Sequence, residues 1–212
     1  NGRPIFRSRD RAFEFRLEGR VHFDWAHYDQ DAPTGADIRE PAGVRDMNSG
    51  TNFRRIRLGA LGKFAEDWEF SLVGEWGGSG AESSSLDEAM LAYTGFKPFQ
   101  IRIGAFKPGS NMDDNASSND IKFIERPSPA NLDASFAGGT ARKGLEVLAT
   151  GPRYMARAAV TGETYGSAEL NDEQLGATTR LAVLAVTNPD LDGHIGAGAA
   201  FSDIIVPTTA TL

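Results

Sequence analysis

The sequence contains no cysteine and only three histidines. Disulfide bonds and thiol chemistry are therefore excluded, and His22, His27 and His194 lack the spacing of metal ligands. Basic residues are fewer than acidic ones, 22 against 29, whereas a nucleic-acid partner would require a basic face. Apolar runs long enough for a transmembrane helix, about 18 residues, are also missing. We expect no cofactor, no metal and no nucleic-acid partner.

What the sequence does contain is a long alternating segment, Phe13 to Trp25. Its odd positions are apolar or glycine, and its even positions are charged or histidine. A period of two predicts a β-strand with one apolar and one ionic face. Strands of soluble domains are usually about 5–6 residues long, whereas a membrane-spanning strand needs about 9–11. The length favours a strand between lipid and a water-filled lumen, and a long hairpin of a soluble β-sandwich is the alternative.

Similar alternation recurs along the chain and predicts an all-β, antiparallel meander. Residues 1–11 form an irregular basic lead-in. The nine predicted strands cover residues 12–28, 52–64, 67–76, 86–95, 99–107, 141–150, 153–162, 174–186 and 194–202. Connections after the odd-numbered strands are long and those after the even-numbered strands are short, as in outer-membrane β-barrels.

Nine strands cannot close a bacterial barrel, because these barrels have an even strand number. We therefore expect residues 12–212 to form the N-terminal part of one transmembrane β-barrel, about the first half of a longer protein. The longest irregular stretch is 108–140. Within it, the Ser/Asn/Asp residues at 117–120 predict the cap of a short helix over 121–126, ended by the prolines at 127 and 129.

Aromatic residues lie near the ends of several predicted strands. They are Trp25, Tyr28, Trp68, Trp76 and Tyr93. Such positions suit the aromatic girdles that flank the apolar band of a membrane barrel. Single aromatic residues of a soluble core would have the same pattern, so this observation alone does not separate the two classes.

Three ordered segments carry a resemblance to a known family. They comprise Thr51–Leu58 with Gly62–Phe64 and Asp67–Phe70, then Leu86–Phe96 with Ile101–Lys107, and finally Ser117-Ser118 with Phe123–Arg126. Their order and spacing resemble the phosphate-selective porin O and P family of Gram-negative outer membranes, over most of residues 12–203. The resemblance implies a barrel of about sixteen strands, assembled as a homotrimer. It also implies that loop 108–140 folds inward as a constriction.

The resemblance also assigns roles to individual residues. Arg54 and Arg55 match the arginine pair at the start of the family's second strand, and Asp87 matches an acidic residue of the fourth. Phosphate-selective members place lysines in the constriction loop, whereas this chain has Asp114 and Asn119 at the aligned positions. The resemblance therefore carries the fold more fully than it carries phosphate selectivity.

The predicted polar faces supply many cations. The candidate pore-lining, anion-binding residues are Arg16, Arg20, Arg54, Arg55, Arg57, Lys63, Arg102, Arg157 and Arg180. The candidate constriction residues are Asp87, Asp113, Asp114, Lys122 and Arg126. Guanidinium groups can replace an anion's water with bidentate hydrogen bonds. The same faces carry Glu14, Glu18, Asp24, Glu69 and Glu75, so salt-bridged wall residues or a transverse charge separation are equally open.

Two acidic segments are candidate cation sites. Segment 188–193 resembles half a calcium loop but lacks the downstream bidentate Glu, so a plain turn is expected. Asp113, Asp114 and Asp120 could hold a divalent cation, but a solvated acidic loop is the simpler interpretation.

These observations predict an outer-membrane porin that passes small hydrophilic solutes by passive diffusion, with a bias toward anions such as phosphate. Its expected partners are small inorganic ions or small solutes, outer-membrane lipid with lipopolysaccharide, and two further copies of itself. A general or weakly cation-selective porin of the same fold is the first alternative. A soluble β-sandwich binding module is the second. An enzyme is the least supported, because no catalytic constellation is recognisable.

Overall fold

The computed structural model describes residues 4–29, 49–78, 85–135, 141–165 and 174–203. These residues form a single open antiparallel sheet of ten strands, in which each strand pairs with the next along the chain. The strands are β1 (Ile5–Arg7), β2 (Phe13–Ala26), β3 (Gly50–Phe64), β4 (Trp68–Glu75), β5 (Ser85–Tyr93), β6 (Phe99–Phe106), β7 (Arg142–Gly151), β8 (Tyr154–Thr164), β9 (Gly176–Asn188) and β10 (Leu191–Ser202). Two short helices, α1 (Met112–Asn115) and α2 (Ser128–Ser135), lie between β6 and β7.

The nine predicted strands are confirmed as β2 to β10, with ends that differ by a few residues. The lead-in differs from its predicted irregular conformation, because Ile5–Arg7 forms a strand paired with Glu14–Arg16. Phe6 stacks on Phe15 with ring centroids 4.7 Å apart, which fixes the register of this short edge strand.

The connections are sorted by length between the two ends of the sheet. Short turns follow β3, β5, β7 and β9, whereas the other connections beyond β2 are long. The turn predicted over segment 188–193 is narrower in the structure: β9 ends at Asn188 and β10 begins at Leu191, so only Pro189 and Asp190 form the turn. Most of the predicted loops 29–51 and 163–172, the Gly/Ser loop, residues 136–140 and the tail after 203 lie outside the described residues.

The helix expected over residues 121–126 is wrong. That segment consists of bends, and the helix α2 begins instead at Ser128. Pro129 suits the first turn of a helix, where its missing N–H and fixed φ carry no penalty. The carbonyl of Ile124 accepts a hydrogen bond from Arg54, so a tertiary contact overrides the local capping signal. No helix in the described part of the chain is long and apolar enough to cross a bilayer.

One face of the sheet, called the apolar face, carries the hydrophobic residues of the alternating pattern. Val21, Leu58, Leu72 and Leu181 are each more than half exposed, and Ile101 is 37% exposed. Neither helix nor any other strand among the described residues packs across this face. A soluble sandwich would bury these side chains, whereas a membrane barrel exposes them to lipid.

Aromatic rings mark both ends of the apolar face. Near the short turns, Trp68 lies 6.3 Å from Phe64 and 5.1 Å from Tyr93 between ring centroids. Near the long loops, Phe23 and Phe53 lie 5.1 Å apart. The ten steps from Phe13 to Phe23 span about 33 Å along the strand, or about 23 Å at a tilt near 45°. That height matches the apolar band of an outer-membrane barrel, about 25 Å.

The position of Leu58, midway between the two aromatic rows, generates a stability prediction. Leu58→Arg should destabilise the barrel by about 2–4 kcal/mol, because a lipid-facing Arg is most costly at the bilayer midplane. Val186→Arg, close to the short turns, should cost about 0–1 kcal/mol. Urea unfolding in lipid vesicles measures both. Equal costs at the two sites would contradict the assignment of this face to lipid.

Candidate functional site on the polar face

The opposite face of the sheet, the polar face, is covered by the connection between β6 and β7. We call its described part, residues 107–135, the inward loop. Thr178 Oγ1 donates to the Pro108 carbonyl at 3.3 Å, and Arg54 Nη1 donates to Glu125 Oε1 at 2.7 Å. The loop therefore contacts both halves of the polar face. A cavity of about 850 Å³ lies between the loop and strands β2–β5.

Where the loop meets β6–β9, the otherwise solvated face becomes a small core. Phe106, Pro108, Glu146 and Thr161 are the largest side chains that are fully buried among the described residues. Phe106 and Pro108 flank Lys107 at the start of the loop, and Glu146 pairs with Arg157, which donates to the Lys107 carbonyl. The loop is thus packed on the wall of the sheet along this stretch.

A β-bulge turns two consecutive arginines toward the same face. His22 pairs with Arg55 and Phe23 pairs with Phe53, which leaves Arg54 as the extra residue of β3. Consecutive strand residues normally point to opposite faces, but a bulge suspends that alternation. Both guanidinium groups reach Glu125 of the inward loop, Arg54 at 2.7 Å and Arg55 at 3.8 Å. Neither arginine of the matched pair therefore faces lipid.

A second bulge does the same for two acidic residues on β5. Val73 pairs with Glu88 and Gly74 pairs with Leu86, which leaves Asp87 as the extra residue. Asp87 Oδ2 accepts from Arg57 Nη1 at 2.7 Å, and Arg57 Nε donates to Glu75. Arg57 is therefore held by two carboxylates from neighbouring strands.

Glu146 of β7 is a site residue that the sequence analysis did not select. Its side chain is fully buried, and it forms ion pairs with Arg102 at 3.2 Å and with Arg157. Its position between the outward-facing Leu145 and Val147 places it on the polar face by simple alternation. That signal was available in the sequence, whereas its two arginine partners were visible only in the register of β6–β8.

Arg20 contacts the serine pair of the loop. Its Nη1 donates to Ser118, and its Nη2 donates to Ser117 Oγ at 3.2 Å. Glu18, two residues earlier on the same face of β2, lies 3.4 Å from Nη2. The structure thus brings together a predicted pore residue, Arg20, and the Ser117-Ser118 pair that carries part of the family resemblance.

Three predicted cations of the polar face have no ion pair with a described carboxylate. They are Arg16 and Lys63, toward the short-turn end of β2 and β3, and Arg180 of β9. Arg180 lies directly opposite Arg157 in the β8–β9 register. No described carboxylate therefore neutralises the positive charge of these three groups by direct contact.

The predicted constriction residues of the loop have different environments. Arg126 donates to the carbonyls of Asp113 at 2.7 Å and Ala116 at 2.6 Å, so it holds α1 in place. The Asp113 side chain is exposed, as is that of Lys122, which forms no ion pair with the described residues. Asp114 is 6% exposed. Among the three acidic residues predicted for the constriction, Asp87 and Asp114 form an ion pair with a described cation, and Asp113 forms none.

Asp114 and Lys107 form a close pair at the start of the loop, with 3.9 Å between Nζ and Oδ1. Burial raises the pKa of Asp114 above its ordinary value, although the positive charge of Lys107 opposes that change. Burial likewise lowers the pKa of Lys107, against the attraction of Asp114. Burial thus disfavours the charged form of each group, and the partner's opposite charge favours it.

The cavity under the loop is balanced in charge. Its lining includes five cations, Arg16, Arg20, Arg57, Lys107 and Arg126, and five carboxylates, Glu18, Asp87, Glu88, Asp114 and Asp120. The described residues contain no group of three or more acidic or histidine side chains arranged to hold a metal ion. Any ion preference must therefore come from how the charges are distributed, since their sum is zero.

An apolar face bounded by aromatic rows, together with a charged face covered by an inward loop, defines part of a transmembrane β-barrel of the outer-membrane porin class. The comparisons with known proteins name the family. The family described as "Phosphate-selective porin O and P" matches residues 15–204. The chain belongs to this family, and the protein resides in the outer membrane of a Gram-negative bacterium.

One curated relative is Porin O of Pseudomonas aeruginosa. It is 26% identical over 119 residues, which are 55% of this chain and 25% of Porin O. The match therefore spans about a quarter of that relative's length.

The contact of Glu125 with the two arginines generates a pH prediction. Burial acts to raise its pKa, but the hydrogen bond from Arg54 and the charges of Arg55 and Arg54 outweigh it and leave the pKa below the ordinary 4.5. The contact therefore stabilises the loop fully above pH 4.5, and this stabilisation is lost as the pH falls through the lowered pKa. The current noise of the open channel should stay low as the pH falls to 4.5, and it should rise once the pH falls through the lowered pKa of Glu125.

Two variants control this measurement. Glu125→Gln should be noisy at every pH, because a neutral amide cannot hold both guanidinium groups. Glu66→Gln, in the exposed β3–β4 turn, should behave as the wild type. If the current noise of the wild type already increases at a pH well above 4.5, the assignment is contradicted.

Proposed function

We propose that the protein allows small hydrophilic solutes to cross the outer membrane by passive diffusion, with a preference for anions such as phosphate. The pore would be lined by the polar face and constricted by the inward loop. The observation that carries the proposal is the bulge at Arg54, which directs Arg54 and Arg55 together toward the loop. An alternating strand without it would send one guanidinium into lipid.

The arrangement of cations along β2 and β3 supports this preference. From the short-turn end upward, the polar face carries Lys63, Arg16, Arg20 with Arg57, and then Arg55 with Arg54. Residues two apart on one strand are separated by about 6.6 Å. Adjacent levels of cations are therefore about 6.6 Å apart, except between Arg16 and Arg20, which lie four residues apart, about 13 Å, on either side of Glu18.

Neutralisation of several arginines supports a second candidate, a general or weakly cation-selective porin of the same fold. Arg57 and Arg102 are paired with carboxylates, and Asp87 with Glu88 forms an acidic pair facing the cavity. Phosphate selectivity in the family's description favours the anion pore. The homotrimer and the lipopolysaccharide contact stay expectations from the resemblance.

Removing the bulge arginines tests the proposal. The porin is reconstituted in a planar bilayer under a salt gradient, and the reversal potential gives the permeability ratio of anion to cation. Arg54→Gln with Arg55→Gln should lower this ratio by about twofold for each charge, because unit charges 8 Å apart in water interact by about 0.5 kcal/mol. Block of the current by added phosphate should weaken in the same variant.

Arg9→Gln with Arg11→Gln is the matched control, since it removes two charges from the exposed β1–β2 turn. Its permeability ratio should equal that of the wild type. A wild-type potential of cation sign, without phosphate block, would support the general porin instead. Failure to form any channel would overturn both candidates.

A further inference from the structure

The fully buried carboxylate of Glu146 has a structural setting that anion transport does not explain. A buried carboxylate is costly unless it is paired and hydrogen-bonded. Glu146 Oε1 accepts from Arg102 Nη1 at 3.2 Å, and Oε2 accepts from Arg157 Nε at 2.8 Å. Glu146 therefore fixes the guanidinium plane of Arg157 from the wall side.

The other side of the same guanidinium holds the inward loop. Arg157 Nη1 donates to Asn115 Oδ1 at 2.8 Å, and Nη2 donates to the Lys107 carbonyl at 3.2 Å. These two acceptors lie at the start of the loop and at the end of α1. A planar guanidinium can serve all three acceptors at once, whereas a lysine ammonium is a single point charge without this fork.

Close packing surrounds this contact. Gly109 has a φ of +65°, and a Cβ there would collide with Arg157 Nη1 and with the Asn115 amide. A Cβ on Gly198 of β10 would collide with the backbone oxygen of Ser110. The loop thus lies on β8–β10 at a distance that only glycine permits at these two positions.

We propose that Glu146 is a positioning residue, which orients Arg157 so that the Arg157 side chain holds the start of the inward loop against the wall. On this assignment the Glu146–Arg157 pair controls the cross-section of the pore. Arg157 does not belong to the anion-binding cations, because four of its five N–H groups already donate to Glu146, Asn115 and the Lys107 carbonyl. Arg180, its neighbour in the register, forms no ion pair with a described carboxylate and is the cation of that region available to anions.

A thiol introduced at Ser110 reports loop docking directly. The chain has no cysteine, and Ser110, within the docked loop, is 6% exposed, so Ser110→Cys gives one protected thiol. Glu146→Gln and Arg157→Gln should each raise its rate of modification by a water-soluble maleimide about tenfold, since each removes charge-assisted hydrogen bonds. The doubly substituted chain should show little further increase, because both changes break one network. Arg9→Gln, in the exposed β1–β2 turn, should leave the rate unchanged.

Arg157→Lys separates positioning from charge. It keeps the positive charge but cannot bridge three acceptors, so the thiol should be exposed as in Arg157→Gln while the reversal potential stays at the wild-type value. Glu146→Gln and Arg157→Gln change the charge in opposite directions. Under positioning, both should alter single-channel conductance in the same direction, whereas an electrostatic role would shift the reversal potential in opposite directions.

Gly198→Ala tests loop docking independently, because it changes no charged residue. The added methyl group should displace Ser110 and expose the thiol, with an altered conductance and an unchanged reversal potential. This variant and Arg157→Lys carry the test if Glu146→Gln does not assemble. A protected thiol in Arg157→Lys and in Gly198→Ala would overturn the proposal, as would opposite shifts of reversal potential with an unchanged conductance. The thiol readout does not depend on which solute the pore transports.

Discussion

Complete hydrogen bonding of the backbone within the sheet is the constraint on which the rest of this structure depends. A chain in lipid has no water to satisfy its N–H and C=O groups, so each strand must pair with its neighbours. Sequential antiparallel pairing of β1 to β10 meets that requirement within the described sheet. It also forces alternate side chains to opposite faces, which separates the hydrophobic residues facing lipid from the charged residues facing the inward loop.

Two of the four register shifts in the described sheet, those on β3 and β5, show how the polar face escapes strict alternation. On β3 the extra residue is Arg54, and on β5 it is Asp87. Each bulge places two adjacent residues with charge of the same sign on the polar face, which a regular strand cannot do. The number of charged groups near the loop is thereby raised without placing a charge in the apolar band.

Pairing with carboxylates divides the basic residues of the polar face into two groups. Arg102 and Arg157 share the buried Glu146, and Arg57 is held between Glu75 and Asp87. These side chains connect strands or hold the loop. Arg16, Lys63 and Arg180 lack such a partner among the described residues and remain candidates for contact with a solute. The column of cations along the wall therefore contains both structural and exposed charges.

Alternation predicted nine of the ten described strands and the face of most of their residues, because a period of two is a local property of the chain. The spacing of those strands in turn gave the sorting of connections by length. Only the tertiary structure decided the strand register, the two bulges, the partners of each arginine and the failure of the helix predicted over 121–126. Those features depend on contacts between residues far apart in sequence, such as Arg54 with Ile124 and Arg157 with Asn115. Burial of Glu146 belongs with them, since its two arginines arrive from different strands.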